Sequence, residues 1–357
     1  MPLQNAVVST VVRVEPPLVE LADKREVRLD PEDERSGGLA RVLEGLREQG
    51  LPVYLEVDPE TSAISRLLIP HVSRVAGIQS LDVDVLSVEL ASSHGRHLLR
   101  RGAPASEELE ARLREAFGRG DPVIVTETDN HEIIDVRPFI PDPEGPPLPF
   151  PERKPPPRLS WPWRWLVPIW RWPWWPWWWF RCVSPKKAQE VFDSMSATSC
   201  DPLTVPPPCI PFLYPDDGCW GRAHEMCRLM IALGLSPKKV WIEGALNVKT
   251  KNNPVCQVWW GWHVAPTLCV RGPGFFQKQE MVVDPSLFAT PVSKATWKGV
   301  QGDPNATLTD SDASIFYLWG GYTDPTYVQT NQVLATYRLQ LQNRAVQYGP
   351  PPYANCP

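Results

Sequence analysis

Hydrophobic residues recur at helical spacing in some stretches of this chain and alternate with polar ones in others. Leu39, Val42, Leu43 and Leu46 fall on one face and predict a helix over Leu39–Gln49. Ser106 followed by Glu107 and Glu108 caps and charge-matches the start of a second helix, Ser106–Phe117. Around them, Val7–Val14, Val53–Val57, Ala63–Ile69, Val83–Leu90, Val123–Thr128 and Ile133–Val136 read as strands. Residues 1–140 are therefore expected to form one small α+β domain, with a binding, delivery or inhibitory role because no nucleophile–base set occurs in it. Its histidines, His71, His94, His97 and His131, read as surface or hydrogen-bond-satisfied residues rather than a metal site.

The pattern breaks at 141–181, a proline- and tryptophan-rich linker. Residues 141–157 are proline-rich and predict an extended spacer. Residues 161–181 hold ten of the chain's 17 tryptophans, with four prolines and three arginines among them. Those prolines argue against a continuous spanning helix. Three uses fit: a strap whose indoles pack on the next domain, contact with a membrane interface, where tryptophan and arginine are both favoured, or an unknown protein partner.

Residues 182–345 resume a mixed pattern. Pro185–Met195 is a short helix, and Cys200 to Pro215 a proline-laden loop. Asp216-Asp217-Gly218 is a turn and cap signal ahead of Ala223, Met226, Cys227, Met230, Ile231 and Leu233 at helical spacing, closed by Gly234 and Pro237. Val240–Val248 and Gln257–Val270 read as strands, the latter with Val258, Trp260, Trp262 and Val264 on one face and His263 on the other; Met281–Val283 is a partner strand. Thr296–Thr309 is polar and loop-like, Ala313–Leu318 a strand, and Thr326–Asn343 a closing helix with Val333, Leu334, Tyr337 and Leu341 in phase. A proline-rich tail, 346–357, follows, pinned if at all through Cys356.

This half carries the candidate chemistry. Cys219 stands where a helix begins, and a helix N-terminus favours the thiolate that a nucleophile needs. His263 sits on a strand, and if Pro273 and Gly274 centre the following turn the register puts it opposite Asp284. Cys219, His263 and Asp284 are then nucleophile, base and orienter, an arrangement that serves an amide hydrolase, a peptidase or a transglutaminase alike and requires no metal or organic cofactor. Such a thiol is expected to alkylate readily near neutral pH. Trp220, Trp259 and Trp262 are candidates for a substrate cleft, Trp259 because it shares the face of His263; His224, off the face of Cys219, reads as structural.

The segments Cys219-Trp220-Gly221-Arg222-Ala223-His224, His263-Val264-Ala265 and Asp284-Pro285-Ser286-Leu287-Phe288 resemble those of the bacterial protein-glutamine glutaminases, over roughly residues 182–345. The resemblance implies an α+β fold: a papain- and transglutaminase-like cysteine hydrolase core, preceded here by a separate small α+β domain and the Pro/Trp-rich linker. It implies hydrolysis of glutamine side-chain amides in protein substrates with exposed glutamine, through a thioester on Cys219. It also implies that the segment before the catalytic part covers the cleft until removed. Against these stands a non-catalytic membrane- or partner-binding protein.

Charge and cysteine content refine the picture. The net charge of -5 divides unevenly, acidic before residue 150 and basic after it, with no basic stripe of the kind nucleic acid requires. All eight cysteines lie between Cys182 and Cys356, without paired zinc-finger spacing. That density favours an extracellular or delivered destination, although the N-terminus has no standard signal-peptide pattern. With Cys219 set aside seven remain, so one thiol stays free, and Cys227 on its buried helical face is the candidate.

Overall fold

The computed structural model describes residues 6–103, 105–140, 182–272, 274 and 277–356. The linker 141–181, and with it the strap and membrane-interface readings, lies outside them. Among the described residues no helix is long and apolar enough to cross a membrane.

The first 140 residues hold the expected helices and strands, but build one topology twice. The first unit runs β1 (Ala6–Glu15), β2 (Leu18–Leu21), β3 (Glu26–Arg28), α1 (Ser36–Gln49), β4 (Pro52–Val57) and β5 (Ile64–Leu68), in sheet order β3-β2-β1-β4-β5. The second runs β6 (His71–Ser80), β7 (Val85–Leu90), β8 (His97–Arg100), α2 (Ser106–Arg119), β9 (Pro122–Glu127) and β10 (Ile133–Pro138), in order β8-β7-β6-β9-β10. Even the parallel bridges joining the outer strands correspond, Arg28 with Ala63 and Leu98 with Glu132. The sequence bears the trace: Ser36, Gly50 and Pro52 recur as Ser106, Gly120 and Pro122 at one constant interval, and Val19-Glu20-Leu21-Ala22 returns as Val88-Glu89-Leu90-Ala91. Each sheet buries one apolar stripe of its helix, Leu39, Val42, Leu43 and Leu46 in one copy and Leu109, Leu113 and Ala116 in the other.

The C-terminal half is one antiparallel sheet with helices packed on it. Its strand order is β14 (Val292–Ser293), β13 (Lys278–Val282), β12 (Gln257–Arg271), β11 (Lys238–Lys249) and β15 (Thr307–Asp312). Helices α3 (Pro185–Ser196), α4 (Cys219–Ala232), α5 (Lys294–Gly299) and α6 (Val328–Tyr348) accompany it, with a small hairpin of β16 (Ile315–Tyr317) and β17 (Tyr322–Thr323). The stretch expected as a loop over Thr296–Thr309 instead contains most of α5 and the start of β15. Helix α5 is capped by Ser293, whose hydroxyl accepts the Thr296 N–H at 3.0 Å. Strand β15 lies at the sheet edge with mostly exposed side chains, so it lacks the apolar alternation by which a strand is read.

Helix α6 belongs to both halves. Val333, Leu334, Tyr337 and Leu341 face the C-terminal core as expected, but Leu339 enters the core of the first N-terminal sheet. Its Gln340 and Asn343 amides donate to the carbonyls of Ile69 and Leu67 at 2.9 and 3.0 Å. Helix α1 comes close to α6 because Gly38 and Gly45 face Val346 and Leu339, where a β-carbon would collide with their methyl groups.

Disulfides join Cys182 to Cys269, Cys200 to Cys209 and Cys256 to Cys356, so the tail is pinned through Cys356. Cys219 and Cys227 remain as free, buried thiols.

Candidate functional site

Cys219 is the first residue of α4. The chain enters this helix through Gly218 at φ 80°, a left-handed conformation, with the ring of Tyr337 where a side chain would go. The approach is held by Arg222, one turn into the helix and buried, which donates to the carbonyls of Tyr214 at 3.0 Å and Asp217 at 2.5 Å. Asp217 does not cap the helix with its side chain; its Oδ1 accepts the Gly218 N–H at 2.8 Å and a second N–H described below.

His263 and Asp284 meet as expected. His263 Nε2 donates to Asp284 Oδ2 at 2.9 Å. The hairpin register differs by two from the expected one, with Thr267 opposite Val282 and Leu268 opposite Met281. A shift of two keeps every side chain on its face, so the aspartate reaches the imidazole diagonally instead of directly. Asp284 Oδ2 also accepts the indole N–H of Trp297 at 2.9 Å, and Oδ1 accepts the Ser286 N–H at 3.2 Å. Trp297 was not visible as a site residue because its helix was read as loop.

A bulge decides which tryptophans flank the histidine. Glu243 pairs with Trp262 but Leu246 with Trp260, so Gly244 and Ala245 together oppose Gly261. The alternation of β12 slips at that point. Trp260, expected on the opposite face, stacks on the His263 ring at a centroid distance of 4.4 Å and 19°. Trp262 turns into the cluster containing Cys219, Trp220 and Trp241. Trp259, expected beside His263, is half-buried and serves through its backbone.

Its partner comes from the N-terminal half. The loop 92–96 between β7 and β8 lies along β12 as an added antiparallel strand: Arg96 N–H donates to Trp259 O and Gly261 N–H to His94 O, both at 2.9 Å, and Gly95 bridges Trp260. His94 Nδ1 donates to Trp262 O at 2.9 Å, and the His94 backbone N–H to Asp217 Oδ1 at 3.1 Å. The His94 ring stacks toward His263, centroids 5.8 Å apart, and contacts Trp220, Trp260 and Trp262. Cys219, His263 and Asp284 are 1 %, 1 % and 3 % exposed beneath this loop. Burial raises the Cys219 thiol well above its ordinary range, against the neighbouring Arg222 charge, and burial also lowers His263. Burial opposes ionisation of Asp284, but His263 and Trp297 hold its carboxyl below the usual value. In the docked site burial therefore opposes both the thiolate and the imidazolium, against the pull of the helix start toward the thiolate.

The other N-terminal histidines brace the loop. His71 Nε2 and His131 Nδ1 lie 3.1 and 3.0 Å from one oxygen of Glu127, His97 Nδ1 lies 2.5 Å from the other, and His97 Nε2 is 3.0 Å from Ser93 Oγ in the loop. They are buried, not on the surface, and each bonds to Glu127, although His131 Nε2 has no hydrogen-bond partner and lies 3.8 Å from Asp216 Oδ1. Burial alone would lower His131, but Glu127 raises it to about 9; the same histidines hold Glu127 well below its usual range. A raised histidine stabilises the fold fully below its unfolded value near ~6.5 and loses that contribution as pH rises through about 9. The full chain should accordingly lose about 2 kcal/mol of unfolding free energy between pH 7 and pH 10, measured in denaturant, and Glu127→Gln should flatten that slope. A Glu127→Gln profile as steep as that of the wild type would refute the assignment.

His224 is structural: Lys239 Nζ lies 2.8 Å from its Nδ1. Among the described residues, two groups place three donor atoms together closely enough to hold a metal, His71–His97–Glu127 and His94–Cys219–His263.

Comparison with known proteins gives one sequence match: residues 188–301 fit a glutamine-deamidase family described as glutaminase. No curated protein matches. Among solved structures, a pro-protein-glutaminase is 20 % identical with a TM-score of 0.50, covering 76 % of this chain and 93 % of that one, and a mutant of a pro-protein-glutaminase aligns with the same identity and score over 75 % and 92 %. A protein-glutaminase from Chryseobacterium proteolyticum is 26 % identical over 42 % of this chain and 84 % of that one, with a TM-score of 0.38. The likeness to the protein-glutamine glutaminases carried by three short motifs thus extends over residues 188–301 in sequence and, as a fold, over three quarters of the chain.

Proposed function

We propose that the C-terminal half hydrolyses the side-chain amide of protein-bound glutamine, with Cys219 as nucleophile, His263 as acid and base, and Asp284 as orienter, and that residues 6–140 form an accessory region holding it latent. The core is read as a papain-like cysteine hydrolase. The reading rests above all on one observation: the Cys219 sulfur at the first turn of α4 lies within 4.8 Å of a ring nitrogen of the Asp284-bound His263, inside the segment that matches the glutaminase family.

The chemistry follows from the parts. With Nε2 given to Asp284, His263 keeps Nδ1 for the thiol, and that atom has no hydrogen-bond partner in the docked state. Proton transfer from Cys219 to His263 gives thiolate and imidazolium. The thiolate adds to the amide carbon, and the oxyanion is met by the Cys219 backbone N–H at the helix start. His263 returns the proton to the departing nitrogen, which leaves as ammonia. Water, deprotonated by the same imidazole, then cleaves the thioester to glutamate and free thiol. Because loop 92–96 now occupies the edge of β12, a substrate segment has to replace it there.

Ammonia release from a glutamine-rich protein, followed with a chain beginning at Cys182, tests the reading. The wild-type sequence should release ammonia, and Cys219→Ala should release none. Ammonia release that survives Cys219→Ala ends it, and peptide-bond cleavage without ammonia would favour a peptidase.

A further inference from the structure

The glutamine-hydrolase reading accounts for the lone pair of His263 Nδ1 but not for a second buried one. His94 Nε2 also has no hydrogen-bond partner. Its Nδ1 donates to Trp262 O, which fixes the tautomer and leaves Nε2 as a lone-pair donor inside the site. His263 is fixed in the same sense, its Nε2 proton given to Asp284. A ring nitrogen of each imidazole and the Cys219 sulfur lie within 4.8 Å of one another, all three residues are buried, and each imidazole keeps one nitrogen without a partner. Buried unsatisfied nitrogens are rare enough to require an explanation.

We propose that His94, Cys219 and His263 form a zinc site that latches the N-terminal half onto the catalytic half. One sulfur and two imidazole nitrogens are the donor set that zinc prefers over magnesium or calcium. Bonds of about 2.0–2.3 Å bring tetrahedral ligands to within roughly 3.3–3.7 Å of one another, so a modest inward movement brings the three side chains to bonding distance and leaves the fourth position to water. Outer partners of the kind zinc-bound histidines need are already present, a carboxylate on His263 and a backbone carbonyl on His94. Asp217 Oδ1, 3.4 Å from His94 Nε2, adds negative charge beside the ion. On binding, the thiol gives up its proton to solvent and its sulfur takes the metal, with no change in oxidation state. The latch differs from simple occlusion by the loop: it ties a residue of one half to the nucleophile and base of the other, and chelation opens it. It does not depend on which amide the enzyme hydrolyses.

The test uses the full chain with disulfides intact, titrated with Zn2+ against a chromogenic chelator and separately with Co2+. One zinc per chain is expected, together with a thiolate-to-cobalt charge-transfer band. His94→Ala should weaken zinc binding roughly a hundredfold or more, and Cys219→Ser should abolish the cobalt band. His94→Gln, which keeps size without an imidazole, replaces His94→Ala should the alanine variant unfold. Three results would overturn the latch: a folded wild-type chain that takes up no zinc, zinc affinity unchanged in both His94 variants, or cobalt binding without the sulfur band, which would place the ion at His71, His97 and Glu127 instead.

Discussion

A chain beginning at Cys182 should alkylate at Cys219 at least about a hundredfold faster at pH 7 than the full chain, and should turn over a protein substrate faster in the same proportion. In the full chain Cys219 is 1 % exposed and lies under loop 92–96. Its burial disfavours the thiolate, and His263 is held neutral by the same burial. Removing the N-terminal half admits water to both groups, so the N-terminal field of α4 and an imidazolium can then act on the thiol. Slower intrinsic attack by a less basic thiolate offsets part of the gain, so the estimate stays below what the thiolate fraction alone would give. Cys227, buried on the same helix, is the internal control and should stay unlabelled in both proteins. Equal labelling of Cys219 in the two, with the shorter chain shown to be folded, would mean that the loop does not seal the site; equal turnover would remove the inhibitory role and leave delivery or targeting for the N-terminal half.

The second large effect concerns the carboxylate. His263→Ala should abolish turnover, whereas Asp284→Asn should leave a residue, reduced on the order of 10³–10⁴-fold, because the aspartate orients and does no bond chemistry. Asparagine fits badly here for a specific reason. Asp284 receives three N–H groups, from His263 and Trp297 on one oxygen and from Ser286 on the other. An amide must point its own NH₂ at one of these sets, leaving donors facing donors, so about 1–3 kcal/mol of stability should go as well. Trp297→Phe removes one donor but keeps the carboxylate, and should cost roughly tenfold in kcat with little change in KM. Steady-state kinetics with denaturant unfolding separates these effects. Full activity in His263→Ala, or an Asp284→Asn variant as active as wild type, would exclude the assigned roles.

The proposed triad was readable because each member sits in a local pattern: a thiol after a turn signal, an imidazole on an alternating strand, a carboxylate at the end of the partner strand. The meeting of His263 with Asp284 survived an incorrect turn position because an even shift of register preserves faces. The placement of the tryptophans did not survive, since the bulge at Gly244 and Ala245 moved β12 by an odd step relative to β11, although Gly244 inside the strand pattern was a signal of it. His94 was out of reach for another reason. Its role depends on the packing of two halves, and within its own half it follows no catalytic pattern. The duplication was within reach, through the returning Val-Glu-Leu-Ala segment, and finding it would have set the loop 92–96 beside its counterpart and shown the difference between them.

That difference has a consequence for how such a molecule can change. In the first copy the connection between β2 and β3 is Ala22-Asp23-Lys24-Arg25, exposed to solvent; in the second, two residues longer, it is Ala91-Ser92-Ser93-His94-Gly95-Arg96 and lies across Cys219. Both copies hold on to helix α6, the first through Leu339, Gln340 and Asn343 and the second through Asp129, which meets Arg344 Nε at 2.8 Å, but only the second covers Cys219. On the proposed reading the two copies share the attachment, and silencing rests in a turn of a few residues of the second. On that reading mutation or proteolysis in this turn would remove the brake without detaching the scaffold, and an always-active form would lie a short genetic distance from the latent one.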